Sequence, residues 1–190
     1  MYRMPTRARG ASTRQVLLGT GRHLLGSGQA VSLEEVARSA GVSRLTVYYH
    51  FGSRRGLLEA LLGDPDLAPS AGGLEESVEA SCAAWAADRD VLRALRAHGV
   101  LDRDLGHVIG EREERRRDRW RALASELLDG GRLEDGLSLA SAADALAVLT
   151  GFEVYDALAG RRSPRAVAAL ILRLAGGIVR PAASGDPAQA

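Results

Sequence analysis

The stretch that decides the fold is residues 32–62, SLEEVARSAGVSRLTVYYHFGSRRGLLEALL. Three serines in it, Ser32, Ser43 and Ser53, each stand directly before a segment whose apolar residues recur at helical spacing. A serine hydroxyl at that position accepts a hydrogen bond from a free amide of the first turn and so favours the start of a helix. Gly41 separates the first two segments and can adopt the positive φ of a tight turn. The pattern predicts three short helices in quick succession.

The first two of these helices have the spacing of a helix-turn-helix. Such a unit needs a small residue where the helices touch, a glycine in the turn and a β-branched anchor in the second helix. Ala37, Gly41 and Val47 supply these in order. The alternative interpretation is a pair of short packed helices with no role in DNA binding.

The distribution of charge favours DNA binding over that alternative. Residues 1–62 contain nine arginines and three acidic residues, a net charge of +6, whereas the rest of the chain has a net charge of −5. The whole chain has a net charge of only +1. A basic segment beside an acidic one indicates a module that faces a polyanion, joined to one that does not.

The bulk properties of the chain predict a globular protein of the cytoplasm. Its 190 residues are 46% apolar, and no apolar run approaches the ~20 residues of a membrane span. The N-terminus has no apolar segment typical of a secretory signal. The single cysteine, Cys82, excludes an internal disulfide and suits a reducing compartment. We expect no membrane association and no cofactor.

Helical signals continue to the end of the chain, and we predict an all-α fold of about nine helices. After a Pro- and Gly-rich connection, these include a helix from Leu74 to about Gly99, a short segment over 101–109, and helices over 111–128, 137–159 and 163–179. The predicted organisation is a flexible arm (1–11), a DNA-binding domain (12–62), an effector-binding and dimerisation domain (63–180) and a disordered tail (181–190).

Residues 32–62 resemble the DNA-binding domain of the TetR family of bacterial transcription regulators. The resemblance extends over residues 12–62, and the order of the later helices also suits the family. Gly19 and Gly21 depart from it, because family members commonly have Ala or Leu there. The residues that carry the resemblance are Ala37, Gly41, Val42, Ser43, Thr46, Tyr48, His50, Phe51, Arg54 and Leu57.

The resemblance implies that the second helix of the helix-turn-helix lies in the major groove. It directs Arg44, Leu45 and Thr46, with Tyr49, to base edges. It also directs Thr46, Tyr48 and His50 to phosphates, and it implies burial of Phe51 at the junction with the next helix. The resemblance also implies that Arg54 binds a DNA phosphate across the major groove. The predicted DNA-binding residues are Ser32, Ser43, Arg44, Leu45, Thr46, Tyr48, Tyr49, His50 and Arg54.

The second predicted domain contains no set of residues that indicates catalysis, so we do not expect an enzyme. Asp104, His107 and Glu111 could share a helix face and bind a metal ion, but Gly106 and Gly110 argue against a helix there. We therefore predict no metal site.

The large rings beyond residue 62 have two interpretations. Each has apolar neighbours at helical spacing, which favours packing in the core. The resemblance implies a ligand pocket among the middle helices, which some of these rings could line. The candidate pocket residues are Trp85, His98, Trp120, Phe152, Glu153 and Tyr155.

The resemblance also implies a homodimer joined through residues 137–179, with four helices between the subunits. Small residues there permit close approach: Ala140, Ala143, Ala147, Gly151, Ala168, Ala169 and Ala175. The predicted function is regulation of transcription, as a repressor of a double-stranded DNA operator with a palindromic sequence, released by a small apolar or amphipathic effector. An activator and a regulator without effector stay open. The alternative from another class is an all-helical small-molecule-binding protein or enzyme with an incidental basic segment.

Overall fold

The computed structural model describes residues 12–63 and 73–181, and these residues form helices without any strand. The predicted all-α fold is confirmed. The predicted arm at 1–11 and most of the predicted tail lie outside the described residues. The helices are α1 (Thr13–Gly26), α2 (Leu33–Ala40), α3 (Arg44–Phe51), α4 (Arg54–Leu62), α5 (Gly73–Ala87), α6 (Arg89–Leu101), α7 (Arg103–Asp129), α8 (Leu139–Leu149), α9 (Phe152–Ala159) and α10 (Pro164–Ala175). None of them is long and apolar enough to cross a membrane.

The described chain has ten helices where about nine were predicted. The predicted helix from Leu74 to Gly99 is two helices, α5 and α6. The predicted segments 101–109 and 111–128 are one continuous helix, α7, of 27 residues. The predicted helix over 137–159 is interrupted at Thr150 and Gly151, between α8 and α9.

The chain divides into two compact units. The first unit comprises residues 12–63 and 90–109 of the described chain, and the second comprises residues 73–89 and 110–181. Residues 90–109, which the sequence assigns to the second domain, thus pack with the helix-turn-helix. Helix α7 contributes its first turns to the first unit and the remainder to the second.

Local chemistry accounts for the helix boundaries in the first unit. The predicted serine caps form: Ser32 Oγ accepts from the amide of Glu35 at 3.1 Å, and Ser43 Oγ accepts from the amide of Thr46 at 3.0 Å. Gly41 ends α2 at φ 67°, the left-handed conformation that a tight turn requires. The core of this unit is aliphatic, and its fully buried members include Leu17, Val36, Val47, Leu57, Leu58, Leu61, Leu95 and Leu105.

In the second unit α10 packs against α5, α8 and α9, and α5 also packs against α9. The interior combines rings with small and branched residues: Val78, Trp85, Trp120, Ala143, Leu146, Ala147, Phe152, Tyr155, Val167, Ala168, Ile171 and Ala175 are buried. Ser163 caps α10 ahead of Pro164, so the predicted start of the last helix is confirmed.

Tertiary hydrogen bonds explain why α8 stops where the sequence predicts a continuous helix. The Arg116 guanidinium, almost fully buried, donates from Nη2 to the carbonyl of Ala147 at 2.7 Å and from Nη1 to Thr150 Oγ1 at 3.2 Å. Trp85 Nε1 donates to the carbonyl of Thr150 at 2.9 Å. These donors satisfy carbonyls that end the helix without an intrahelical partner. A Cβ at Gly151 would lie only 3.3 Å from the Arg116 guanidinium.

The expectation that small residues at 140–175 face another subunit is wrong for most of them. Ala143, Ala147, Gly151, Ala168 and Ala175 are buried within the chain's own second unit. Their size allows α8 and α10 to pack closely inside one protomer. Ala140 and Ala169 are exposed.

Candidate nucleic-acid interface

Helix α3 is anchored on one side and open on the other. Val47 is completely buried and is the only buried residue of the helix. Leu45 is 74% exposed, Tyr48 55% and Tyr49 84%. A helix with one anchored residue and several exposed large side chains offers a rigid surface that another molecule can read.

Hydrogen bonds already organise the start of that surface. Ser43 Oγ lies 2.8 Å from Thr46 Oγ1, in addition to its bond with the Thr46 amide. The side chain of Arg44, the first residue of α3, is exposed. Ser32 plays the equivalent capping role for α2 and is half-buried. The structure therefore places hydroxyl groups and an exposed guanidinium at the start of α3.

The rings at the end of α3 contact one another. The Tyr49 and His50 rings are edge to face, with 5.5 Å between their centroids. The Arg14 guanidinium of α1 lies 5.5 Å from the centroid of Phe51, a cation–π contact. Phe51 is half-buried, less than the burial implied by the resemblance.

Arg54, the predicted phosphate clamp, is engaged within the first unit. Its Nε donates to the carbonyl of Val31 at 3.0 Å, and its Nη1 donates to Asp104 Oδ2 at 2.9 Å and to Asp102 Oδ1 at 3.3 Å. Its Nη2 donates to Asp102 Oδ2, which completes a two-pronged ion pair. The sequence offers no local signal for this contact, because Asp102 follows Arg54 by 48 residues.

The ion pair perturbs both of its members. The hydrogen bond from Arg54 lowers the pKa of Asp102 below its usual range, and the bond to Asp102 raises the pKa of Arg54. Asp102 Oδ1 also accepts from the amide of Leu105 at 3.1 Å at the start of α7. Asp102 thus joins α4 to the first turn of α7.

Two glycines bring α6 and α7 together beside this ion pair. A Cβ on Gly106 would lie 2.7 Å from the carbonyl oxygen of Gly99, closer than nonbonded atoms can approach. The absence of a side chain at Gly106 is therefore a requirement of the helix crossing. The expectation that Gly106 and Gly110 interrupt this helix is wrong, since α7 continues through both.

The predicted ligand-pocket residues do not all come together. Trp85, Trp120, Phe152 and Tyr155 are buried in the second unit, where the Trp85 and Phe152 rings meet edge to face at 5.9 Å. Glu153 is exposed, and His98 belongs to the first unit. Burial raises the pKa of Tyr155. The rings pack as a core, and their role toward a ligand stays a prediction.

Metal-binding side chains are not clustered in the part of the chain that the structure describes. Asp104, His107 and Glu111 lie on the same helix, α7. Within residues 12–63 and 73–181, no three His, Cys, Asp or Glu side chains approach closely enough to hold an ion.

Comparison with known proteins supports the interpretation of α2–α4. Residues 28–61 match the family model of the bacterial regulatory proteins, tetR family. The resemblance seen in the sequence is therefore confirmed over the helix-turn-helix. No curated protein sequence matches the chain significantly.

Solved structures of similar fold span nearly the whole chain. NalD, the secondary repressor of the MexAB-OprM multidrug efflux pump in Pseudomonas aeruginosa, is 22% identical over 88% of this chain and 96% of its own, with a TM-score of 0.68. GusR of Salmonella enterica is 21% identical over 87% and 95%, with a TM-score of 0.67. The SmeT–triclosan complex is 16% identical over 90% and 93%, with a TM-score of 0.68. At these identities the likeness establishes the fold.

Proposed function

We propose that this chain, whose helix-turn-helix matches the tetR family, is a transcription regulator that binds a palindromic operator as a homodimer. The observation that carries the proposal is the surface of α3, where Val47 anchors the helix and Leu45, Tyr48 and Tyr49 remain open. The charge of +6 over residues 1–62 supports contact with a polyanion. In this proposal α3 lies in the major groove, with its first residues on base edges.

Two kinds of contact are assigned to the residues of this surface. Arg44 would read a guanine through its fork of donors, and Leu45 would touch a thymine methyl. Tyr48 and His50 would contact phosphates, as the resemblance implies. The half-buried hydroxyls of Ser32 and Thr46, with Ser43, would add phosphate contacts at the helix starts.

Substitutions on α3 test these two roles separately. Arg44→Ala should weaken binding to the best operator by about tenfold to a hundredfold and relax preference at one or two base pairs. Tyr48→Phe should weaken binding similarly on all sequences. Both are measured by gel shift on an operator library, with Arg121→Gln, which removes an exposed arginine of α7, as the matched control. An equal loss on every sequence for Arg44→Ala would overturn its base-reading role.

Salt dependence tests DNA binding itself. A protein with several phosphate contacts loses about a thousandfold or more in affinity between ~50 and ~200 mM salt. Binding that is insensitive to both salt and sequence would reject the proposal. It would favour the alternative of a small-molecule-binding protein with an incidental basic segment.

A homodimer gives the proposed operator its symmetry. Two copies of α3 about 34 Å apart would meet successive major grooves of a palindrome. We assign the subunit contact to the outward faces of α8 and α10, where Val148 and Leu174 are more than half exposed and Ala140 and Ala169 are also exposed. Leu174→Glu should shift the chain to monomers in analytical ultracentrifugation. An unchanged dimer would place the interface elsewhere.

We further propose that the protein represses transcription and that a small apolar or amphipathic effector releases it. NalD, of similar fold, is described as a repressor, and a further similar structure is a complex with triclosan. The ring-bearing apolar interior of the second unit supports an effector of this kind. Operator affinity measured with and without a ligand panel tests the release, and tighter binding with a ligand would indicate a co-repressor.

A further inference from the structure

A cleft of about 570 Å³ lies within the first unit, apart from the rings of the second. It is bounded by the end of α1 and the connection to α2, by α4, and by the corner between α6 and α7. Its floor is aliphatic, since Leu25, Leu58 and Leu105 line it and are all buried. The volume is within the ~300–1,000 Å³ typical of small-molecule sites.

Two polar groups on the rim have no side-chain partner among the described residues. Arg54 and Asp102 both line the cleft, but they are paired with each other. Arg103 is exposed, and neither its guanidinium nor the His98 ring makes a hydrogen bond or ion pair with the described chain. The donors left for a ligand therefore come from a guanidinium and an imidazole.

We propose that this cleft binds an amphipathic monocarboxylate, with its apolar chain over Leu25, Leu58 and Leu105 and its carboxylate against Arg103 and His98. An arginine fork matches a carboxylate and forms strong charge-assisted hydrogen bonds with it. A cationic amphiphile would be repelled by Arg103 and Arg54, because the negative charge of Asp102 is already compensated by its ion pair with Arg54. A neutral chain would leave the rim donors unused.

The position of the cleft links it to the DNA-binding surface. Its wall includes Val31, which directly precedes the Ser32 cap of α2, and Arg54, which opens α4. A ligand here would contact the groups that join these helices to the start of α7. This link to operator affinity rests on the proposed function, whereas the binding of the ligand does not.

Calorimetry with two probes of opposite charge tests the ligand class. Sodium decanoate and decyltrimethylammonium share one alkyl chain and differ in their headgroup, and both are used below their micelle concentrations. We expect one decanoate per chain, bound at least about tenfold more tightly than the cation, as a charge-assisted contact implies. Equal affinity for both probes, or no saturable binding of decanoate, would overturn the proposal.

Three variants test the location of the site. Ala30 is exposed and lines the cleft, so Ala30→Trp should fill the space and abolish decanoate binding. Arg103→Gln should weaken binding by about tenfold, and Arg103→Lys, which keeps the charge but not the fork, should weaken it less. Arg121→Gln, which removes an exposed arginine that does not line the cleft, is the control. Urea unfolding of each variant confirms that it is folded.

Two outcomes of these measurements would contradict the proposed site. Undiminished binding to Ala30→Trp would put it outside the cleft, for example among the rings near Trp85. An equal loss of decanoate affinity in Arg103→Gln and Arg121→Gln would show that Arg103 has no specific role in binding the carboxylate. Because these measurements need no DNA, their failure is separate from failure of the operator test.

Discussion

Substitution of two glycines in α7 by alanine should change stability in different ways, although both lie in the same helix. Alanine is favoured over glycine by ~1 kcal/mol in a helix interior, and this gain applies at both positions. At Gly110 the added methyl has no atom within 4 Å among the described residues, apart from its chain neighbours and the adjacent backbone of α7 itself. At Gly106 the methyl would lie 2.7 Å from the carbonyl oxygen of Gly99. That oxygen belongs to the backbone of α6 and cannot rotate away.

The difference between the two variants isolates the steric cost, since the helix propensity is common to both. Overpacking of this kind costs about 1–3 kcal/mol, so Gly106→Ala should be less stable than Gly110→Ala by that amount. Gly110→Ala itself should be more stable than the unsubstituted chain by about 0.5–1 kcal/mol.

Urea unfolding followed by far-ultraviolet circular dichroism measures both variants, compared at a common slope. Gly99→Ala is a useful third variant, because its methyl would meet the end of the Ile109 side chain, which can move. Its cost should lie between those of the other two. If Gly106→Ala is as stable as Gly110→Ala, the helices are not held at the distance described and the reasoning is refuted.

Three further predictions concern buried or paired groups. Arg116→Met should destabilise the chain by about 2–3 kcal/mol in urea unfolding, because it removes the hydrogen bonds that an almost fully buried guanidinium donates to the Ala147 carbonyl and to the Glu113 carboxylate; a loss below ~0.5 kcal/mol would contradict this. Burial raises the pKa of Cys82 to about 11, so Ellman's reagent should label it at pH 8 far more slowly in the folded chain than in urea, and equal rates would disprove its burial. Asp102→Asn should be less stable than the unsubstituted chain near neutral pH. The Arg54 contact lowers the folded pKa of Asp102, so its contribution is full above the unfolded value of ~3.9 and is lost as the pH falls through the folded value. The two stability curves should therefore converge in acid, and parallel curves would contradict the ion pair.

Much of the helix-turn-helix could be predicted because local chemistry determines it. Serine caps act within three residues of sequence, and Gly41 adopts its left-handed φ for a turn that spans only its neighbours. The inward position of Val47 follows from helical spacing alone. Predictions of this kind need no knowledge of the rest of the chain.

The helix boundaries of the second half depend on contacts that are distant in sequence. Gly106 weakens a helix by propensity, yet it is needed where α7 crosses Gly99. The sequence from 137 to 159 has helical composition throughout, and the break follows from donors on Arg116 and Trp85 that reach Thr150. The spacing of apolar residues within a segment does not reveal which distant side chains will contact it.

Arg54 has one role that the sequence predicts and one contact that depends on residues distant in sequence. The family resemblance implies that Arg54, at the start of α4, contacts a phosphate, and this contact stays a prediction. The acidic partners of Arg54 in the structure are distant in sequence and could not be predicted from its position. A guanidinium has five N–H donors, and four hydrogen bonds already connect this one to Val31, Asp102 and Asp104. A phosphate can be bound only in exchange for some of them. The Arg54 side chain is 31% exposed, so water screens part of the ion pair and lowers the free energy needed to exchange an aspartate for a phosphate. The contribution of Arg54 to operator affinity is then the free energy of its phosphate contact minus that of the aspartate contacts it gives up. This difference is smaller than the contribution of an arginine that only water surrounds before DNA binds.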